Sequence, residues 1–577
     1  MSRPSLLVIL IAAIVLAYIR LSLARWETPT VTATLTWDAF GYYLYLPGKF
    51  IYHDLGKLEW LPQIIEQYSP TGNLYQVCPL PNGNFAMKYL MGLSILYAPF
   101  FFLGHWAAGI LGYPQDGFSA PYQLSICLGA WVYAVAGLLL LRTVLLKFFS
   151  EGVTALTLAL IALASNYPQY VAGDSGMTHG FLFTVYAFAL YAAWKWHESP
   201  SKAGSFVIGW VLGLAAITRP TEGVMLFIPL LWQWKRVDLA PSKWIFFRQK
   251  PMYLVLAAAG FFGGILPQLL YWKSVTGHWL FDVGSKFLFL NPHWQVLFGW
   301  EKGWFIYTPV AVLMTAGLLF QRGFPFKKAV LVFVWLNTWI ILAWSDWRYG
   351  ATYSCRALVQ SYAVLALPLA ALLQRFWAGW RKVAWLATGI FLIVLNLFQI
   401  WQYNRTILHF NDMNPAYYRA IFLNPDPSPI DMSLLDTDER PQHEKDYEAR
   451  TLFSRDSVAR IHVNKQARAD FVDTLLSAWP ELASKQDQWL KISAEVTSDW
   501  GAFETWLTTE LVQGEQKKRT ACRMHNGICR LKDWNTIRYY FKAPPGYTGG
   551  RLRVFAETAI DQDIYIRNVR VEWMAAK

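Results

Sequence analysis

Charge is scarce in this chain of 577 residues: Asp, Glu, Lys and Arg make up 15%, against the ~25% usual in soluble proteins. With 55% hydrophobic and 17% aromatic residues, that composition excludes disorder and collagen. Cysteine is scarcer still, and five of them are too few for a disulfide scaffold. Cys522 and Cys529 lie in the run Cys-Arg-Met-His-Asn-Gly-Ile-Cys. In an oxidising compartment they would staple a hairpin, and otherwise they are two unpaired thiols; spacing leaves both readings open. Neither the spacing nor nearby ligands favour zinc.

The charge that is present is unevenly spread. Residues 1–404 hold 41 charged side chains, about 10%, and residues 405–577 hold 48, about 28%. The first figure suits a chain in lipid and the second a soluble domain. A membrane-embedded body followed by a water-soluble domain is the expectation.

Residues 5–24 form the first apolar span, with Arg3 before it, as in an uncleaved signal anchor; a signal peptide cleaved near Ala24 is the rival reading. Further spans are expected at about 122–146, 152–168, 180–196, 203–218, 221–234, 252–273, 304–321, 328–344, 358–374 and 383–402. With the first, these make about eleven. Lys and Arg mark cytoplasmic loops. Alternate loops from 122 onward, with Arg3, collect 16 positive and 3 negative charges, which accounts for the whole net charge of +13. The basic pI is therefore a topology signal and not a nucleic-acid footprint. Both the end of the first span and residue 122 then fall on the outer side, so the apolar stretch 87–111 is not expected to cross. Pro99, His105 and Gly112-Tyr113-Pro114 fit a broken, membrane-skimming segment. Arg20 and Arg25 sit on the outer side against the rule, and the C-terminal domain falls outside as well.

The outer loops gather the notable ionisable residues. The first, 25–121, opens with Trp37-Asp38-Ala39-Phe40-Gly41-Tyr42-Tyr43. Asp38 is a lone carboxylate among aromatics, a setting expected to raise its pKa and suit a general base; a helix cap or an interfacial residue is the plainer reading. The second holds Gly173-Asp174-Ser175-Gly176-Met177-Thr178-His179, a turn able to bind sugar hydroxyls or simply capped by Thr178. The third leaves Arg219 at the outer boundary, where Glu222 or an anionic ligand must neutralise it. The fourth, 274–303, carries Lys286, His293, Glu301 and Lys302. The fifth reads Trp344-Ser345-Asp346-Trp347-Arg348-Tyr349-Gly350 and continues to Arg356. Its two arginines could clamp a phosphate or snorkel at the surface. One candidate base and several cations on one side of a membrane suit chemistry on a lipid-linked phosphate.

On these residues the chain resembles the integral-membrane glycosyltransferases of the GT-C superfamily, in the style of protein O-mannosyltransferases and aminoarabinose transferases, over roughly residues 5–405. The resemblance implies a polytopic α-helical membrane protein of GT-C type, with the catalytic Asp of a long first outer loop at Asp38 and juxtamembrane helices at 87–111. It places a phosphate-contacting lysine at Lys88 and donor-phosphate arginines at Arg219, Arg348 and Arg356. Tyr42, Tyr43, Asp174, His179 and Asp346 would line the substrate site. Asp38 is followed by alanine where the family has a second acid, and Lys88 lacks flanking prolines. The implied donor is a polyprenyl-phosphate sugar and the acceptor a hydroxyl of protein, lipid or glycan, with inversion at the anomeric carbon. Because the leaving group is a lipid phosphate, no metal is obligatory, although Asp174 and His179 leave room for a divalent one. The implied location is a bacterial inner membrane. The rivals are a transporter or flippase of a lipid-linked or soluble sugar, against which the halves look dissimilar, and a non-catalytic scaffold of envelope assembly.

Beyond 404, a linking stretch and a helical pattern at about 456–486 lead into alternation. Strands are expected at 489–497, 503–512, 536–541, 551–556 and 564–573. Leu490, Ile492, Ala494 and Val496 share one face, which predicts a mainly-β sandwich or jelly roll over 489–577. It would bind carbohydrate or acceptor, or serve as a structural cap.

Overall fold

The computed structural model describes residues 3–23, 33–282, 284–463, 469–476, 488–498, 504–525, 533–544, 550–558 and 562–577. The chain divides into two compact units, residues 1–397 and 398–577.

The first unit is a helical membrane body. Among the described residues, six helices are long and apolar enough to cross a bilayer: Pro4–Ser22, Gly92–Leu111, Ala120–Leu146, Met252–Thr276, Arg356–Arg375 and Gly379–Asn404. Large apolar side chains such as Leu10, Ile14, Phe262, Leu270, Ile390 and Val394 point outward from them, where hydrocarbon rather than water satisfies them. Of the remaining expected spans, 180–196 is the unbroken helix Thr178–Glu198, and the others are shorter or interrupted. The stretch 304–321 breaks into Trp304–Tyr307, Val310–Ala316 and the 3-10 turn Gly317–Phe320, because Pro309 cannot continue a helix begun before it. The stretch 221–234 becomes the 3-10 helix Pro220–Leu226 and the short helix Phe227–Leu231.

The expected broken segment at 87–111 is instead the unbroken helix Gly92–Leu111, with Pro99 inside it. Glycines seat its start and its second half: a Cβ on Gly92 would lie 2.4 Å from the Thr218 nitrogen at the end of Lys202–Thr218, and one on Gly104 2.9 Å from the Tyr122 Cα. The helices Lys202–Thr218 and Met252–Thr276 approach on a glycine seam, where a Cβ on Gly209 would fall 1.8 Å from the Ala257 carbonyl oxygen. Small residues allow such contact where no hydrophobic effect drives helices together. Arg20, the outward cation against the charge rule, is buried and donates from Nη1 to the carbonyl oxygens of Ala172 (3.4 Å) and Gly173 (3.2 Å).

In the second unit, the helices Pro415–Ile421 and Pro429–Ser433 precede a β-sandwich. Numbering begins with the hairpin of the first unit, β1 (Val77–Pro79) and β2 (Phe85–Met87). The sandwich strands are β3 (Tyr447–Arg455), β4 (Ala459–Val463), β5 (Ala469–Leu476), β6 (Trp489–Thr497), β7 (Thr505–Gln513), β8 (Gln516–Arg523), β9 (Asn535–Lys542), β10 (Gly550–Thr558) and β11 (Gln562–Ala576). One sheet runs β5-β10-β7-β8 and the other β3-β11-β6-β9, with β4 also on β11; every pairing is antiparallel. Leu490, Ile492, Ala494 and Val496 all face the core between the sheets. The helix expected at 456–486 is overturned over its described part, which is β4 and β5. Their pairing with β11 and β10 supplies what local pattern does not register. Residues 477–487 lie outside the described residues. Cys522 is buried in the sandwich core, and its expected partner Cys529 lies outside the described residues.

Candidate active site

Asp38 stands in the first turn of the short helix Trp37–Tyr43. Its carboxylate is taken by side chains rather than by capping. Oδ1 accepts from the hydroxyls of Tyr89 (2.6 Å) and Tyr75 (2.8 Å), and Oδ2 from Nη2 of Arg356 (3.0 Å). The Asp38 side chain keeps 23% of its exposure and that of Arg356 18%, so the pair is half-buried and reachable. Burial pushes the Asp38 pKa up, but the Arg356 charge and the hydrogen bonds from Tyr89 and Tyr75 outweigh it, and the net shift is downward. The expectation of a raised pKa is thus overturned, because the aromatic surroundings contribute hydroxyl donors as well as apolar rings.

Both tyrosines are set by the hairpin segment that follows. The Lys88 N–H donates to the Gln76 carbonyl (2.9 Å), the Met87 N–H to the Tyr271 hydroxyl (2.8 Å), and the Met91 N–H to Oε1 of Gln268 (2.7 Å). The last two bonds tie residues 87–91 to the helix Met252–Thr276, and the first ties them to the segment that carries Tyr75. Gly41 lets Tyr89 lie against the Asp38 helix: a Cβ there would stand 2.3 Å from Cδ2 of Tyr89. The Lys88 ammonium sits 5.1 Å from the Tyr75 ring centre and 6.0 Å from that of Tyr89, which places a cation beside the carboxylate cluster.

Tyr42 joins this cluster through its ring, 4.5 Å from that of Tyr89. Burial pushes its phenol up to about 12, and the charges acting on it are Arg219, Asp38, Arg356 and Glu222. It is therefore a neutral hydroxyl at the junction of two charged groups. The second group is buried: Glu222 accepts from Nε2 of Gln360 (3.1 Å) and from the Tyr186 hydroxyl, and pairs with Nε of Arg219 at 4.0 Å. Nη1 of Arg219 is buried without a hydrogen-bond partner among the described residues. Oε1 of Gln360 meets Nδ1 of His179 at 3.0 Å. Gln360 and Arg356 share one 3-10 helix, Arg356–Ser361, so the buried carboxylate braces the element that presents Arg356.

Several expected site residues lie elsewhere. Tyr43 is fully buried and donates its hydroxyl to the Gly117 carbonyl (2.6 Å), a core role. Asp174 accepts from Nε2 of Gln169 (3.1 Å), while His179 is tied to Gln360. Thr178 is the first residue of its helix and not its cap. Arg348 is claimed by Glu301 at 2.8 Å and stacks on Trp347. Its guanidinium is thus held by Glu301, whereas that of Arg356 meets Asp38, and the loop between them passes through Tyr349 and Gly350 at positive φ. Asp346 is exposed in that loop. Among the described residues, no group of three or more His, Cys, Asp or Glu side chains is arranged to hold a metal ion.

Tyr75, Tyr89, Gln360 and Lys302 belong to the cluster or its supports and are not among the residues singled out above as substrate-contacting. Two of them had a visible signal, Tyr89 as the neighbour of Lys88 and Gln360 four residues after Arg356.

No family model matches the chain. A protoheme IX farnesyltransferase of Flavobacterium johnsoniae is 32% identical over 85 residues, 15% of this chain and 27% of that protein. Among solved structures, the oligosaccharyltransferase of Archaeoglobus fulgidus aligns with a TM-score of 0.43 at 13% identity over 76% of this chain and 60% of its own. ArnT of Cupriavidus metallidurans aligns at 0.39 and 13% identity over 71% and 68%. The arabinosyltransferase EmbB of Mycobacterium smegmatis aligns at 0.29 and 10% identity over 97% and 64%. The chain thus spans about a quarter of the curated relative's length and 60% of the archaeal enzyme's.

Proposed function

We propose that this protein is a membrane glycosyltransferase of GT-C type that moves a sugar from a polyprenyl-phosphate donor to an acceptor hydroxyl at the outer, periplasmic face of a bacterial inner membrane. The observation that carries the reading is the Asp38 cluster: an accessible carboxylate with a guanidinium on one oxygen, two phenols on the other and an ammonium beside it. The concentration of positive charge in the alternate loops, with the other loops neutral in sum, supports the outer placement. So does the seating of the helix Gly92–Leu111 on the end of one helix and the start of another, both of which that charge pattern puts on the same side.

In the proposed reaction the acceptor oxygen attacks the anomeric carbon from the face opposite the phosphate, and the configuration inverts. The hydroxyl proton passes to the Asp38 carboxylate as the new C–O bond forms. The bond from the anomeric carbon to the phosphate oxygen breaks, and the electron pair leaves with the lipid phosphate. Arg356 and Lys88, with Arg219 nearby, stabilise that charge. Paired with Arg356, Asp38 is a weak base. A donor phosphate that draws Arg356 to itself frees the carboxylate and raises its basicity, so the base is released when donor is in place.

The test supplies purified protein with radiolabelled polyprenyl-phosphate sugars and measures polyprenyl phosphate release. Asp38→Asn is expected to slow release by about 10²–10⁴, the usual worth of a general base. Turnover equal to that of the native chain would remove Asp38 from this role, and movement of intact donor across vesicles without sugar release would make the protein a flippase.

A further inference from the structure

Lys302 is almost fully buried, at 3% exposure, yet it makes no ion pair within 4 Å among the described residues. Its ammonium donates to two backbone carbonyls of the next outer loop, those of Arg348 (2.7 Å) and Gly350. Between these carbonyls the chain passes through Tyr349 (φ 54°) and Gly350 (φ 69°), and Ser354 (φ 54°) follows. Such left-handed positions in tyrosine and serine need outside restraint. The far part of the loop has its own anchors: the Tyr353 N–H donates to the Tyr170 hydroxyl at 3.0 Å, Ser354 meets Thr308 at 3.0 Å, and Nδ2 of Asn166 donates to the Cys355 carbonyl at 3.2 Å. Lys302 restrains the near part. A Cβ on Gly350 would lie 4.0 Å from Nη2 of Arg356, the nitrogen that holds Asp38.

We infer that Lys302 is a positioning residue of the donor-phosphate site, which folds the 348–350 turn against Arg356 and adds its own positive charge behind that guanidinium. The inference rests on the donor reading proposed above. The charged groups facing Lys302 are Arg356, Asp346, Arg348 and Glu301. Burial, then the Arg356 charge, brings its pKa down to about 7. The sign follows: below neutrality the site carries the ammonium and favours a phosphate, and as pH rises the ammonium is lost and the attraction falls.

The experiment measures binding of polyprenyl phosphate to the detergent-solubilised full chain by tryptophan fluorescence across pH 6–9, together with hydrogen exchange of residues 348–356. Native protein is expected to lose affinity as pH rises past neutrality. Lys302→Met should bind about tenfold more weakly at pH 6, the loss of one buried positive charge behind Arg356, without the pH step and with faster exchange in the loop. Lys302→Arg, which keeps a cation that does not titrate, should hold its affinity to pH 9. Unchanged binding and exchange in Lys302→Met would overturn the inference. So would equal losses in the Met and Arg variants that track a lowered melting temperature, since that is a packing role only. If native protein binds no polyprenyl phosphate at any pH while the loop still loosens in Lys302→Met, the donor reading fails and the positioning role stands.

Discussion

The carboxylate of Asp38 and the guanidinium of Arg356 stand 318 positions apart in the chain and 3.0 Å apart in space. The pairing joins the helix Trp37–Tyr43 to the start of the apolar segment Arg356–Arg375 and leaves both groups partly accessible. Each partner sets the other's chemistry: Arg356 keeps the acid ionised, and Asp38 offsets the cost of a half-buried cation.

Removing Arg356 should therefore raise the Asp38 pKa, since burial is the opposing influence and would act alone against the two phenols. A carboxylate held below its ordinary value stabilises the fold above the unfolded pKa of ~3.9, and the gain is lost as pH falls through the folded value. In Arg356→Leu the acid limb of kcat/KM should move to higher pH and kcat/KM should fall by about 10²–10³, as for loss of one charge-stabilising group. An unmoved acid limb would show that Arg356 does not govern Asp38.

Gly41→Ala is expected to disable the site without unfolding the body. The added methyl would sit 2.3 Å from Cδ2 of Tyr89, so the ring must swing away and release its hydrogen bond to Asp38. Alanine otherwise favours a helix over glycine by ~1 kcal/mol, which makes a large loss of activity beside a nearly unchanged melting temperature the diagnostic result. Tyr89→Phe, which keeps the ring and removes the hydroxyl, should share part of the loss.

Gln360 links His179 to Glu222. Gln360→Leu leaves a buried carboxylate with one donor fewer and should cost about 1–3 kcal/mol, the penalty of an unsatisfied buried polar group. Gln360→Glu, which sets a second acid beside Glu222, should be worse near neutral pH and partly recover on acidification. Chemical denaturation in mixed micelles at two pH values measures both.

The glycine seam makes a contrast between the two helices that form it, Lys202–Thr218 and Met252–Thr276. A methyl on Gly209 would strike the Ala257 carbonyl oxygen at 1.8 Å, whereas Gly263 has nothing within 4 Å of its would-be Cβ. Gly209→Ala should destabilise by about 1–3 kcal/mol or more through overpacking, and Gly263→Ala should be neutral or slightly stabilising. Melting temperatures of the two variants in one detergent decide this.

Much of the body was legible before any coordinates. Long apolar runs such as those realised at Ala120–Leu146 and Gly379–Asn404 announce themselves because the bilayer demands about 20 apolar residues in sequence. The strand β6 shows its alternation for a similar reason, one face meeting the sandwich core. Asp38 and Arg356 could be named as unusual charges in aromatic, apolar loops, and Lys88 through the family resemblance. Lys302 shows in the sequence only as one charge among several in its loop, and Gln360 only by standing four residues after Arg356; the role of neither is legible until its neighbours are known. The strands β4 and β5 escape local reading because their stability lies in partners about 100 positions (β11) and about 80 positions (β10) later in the chain, of which local periodicity carries no information.

By itself, then, the order of residues determined that long apolar helices make up the first part of the chain and that a two-sheeted domain follows, because burial in hydrocarbon and in a sheet each imprint a period or a length on the chain. Only the tertiary structure decided that Arg356 rather than Arg348 meets Asp38, that two tyrosines complete the acid's hydrogen bonds and that its pKa moves down. Those outcomes depend on contacts of a few ångströms between segments hundreds of residues apart, and the Coulomb and hydrogen-bond energies that settle them vary with distances no sequence pattern records.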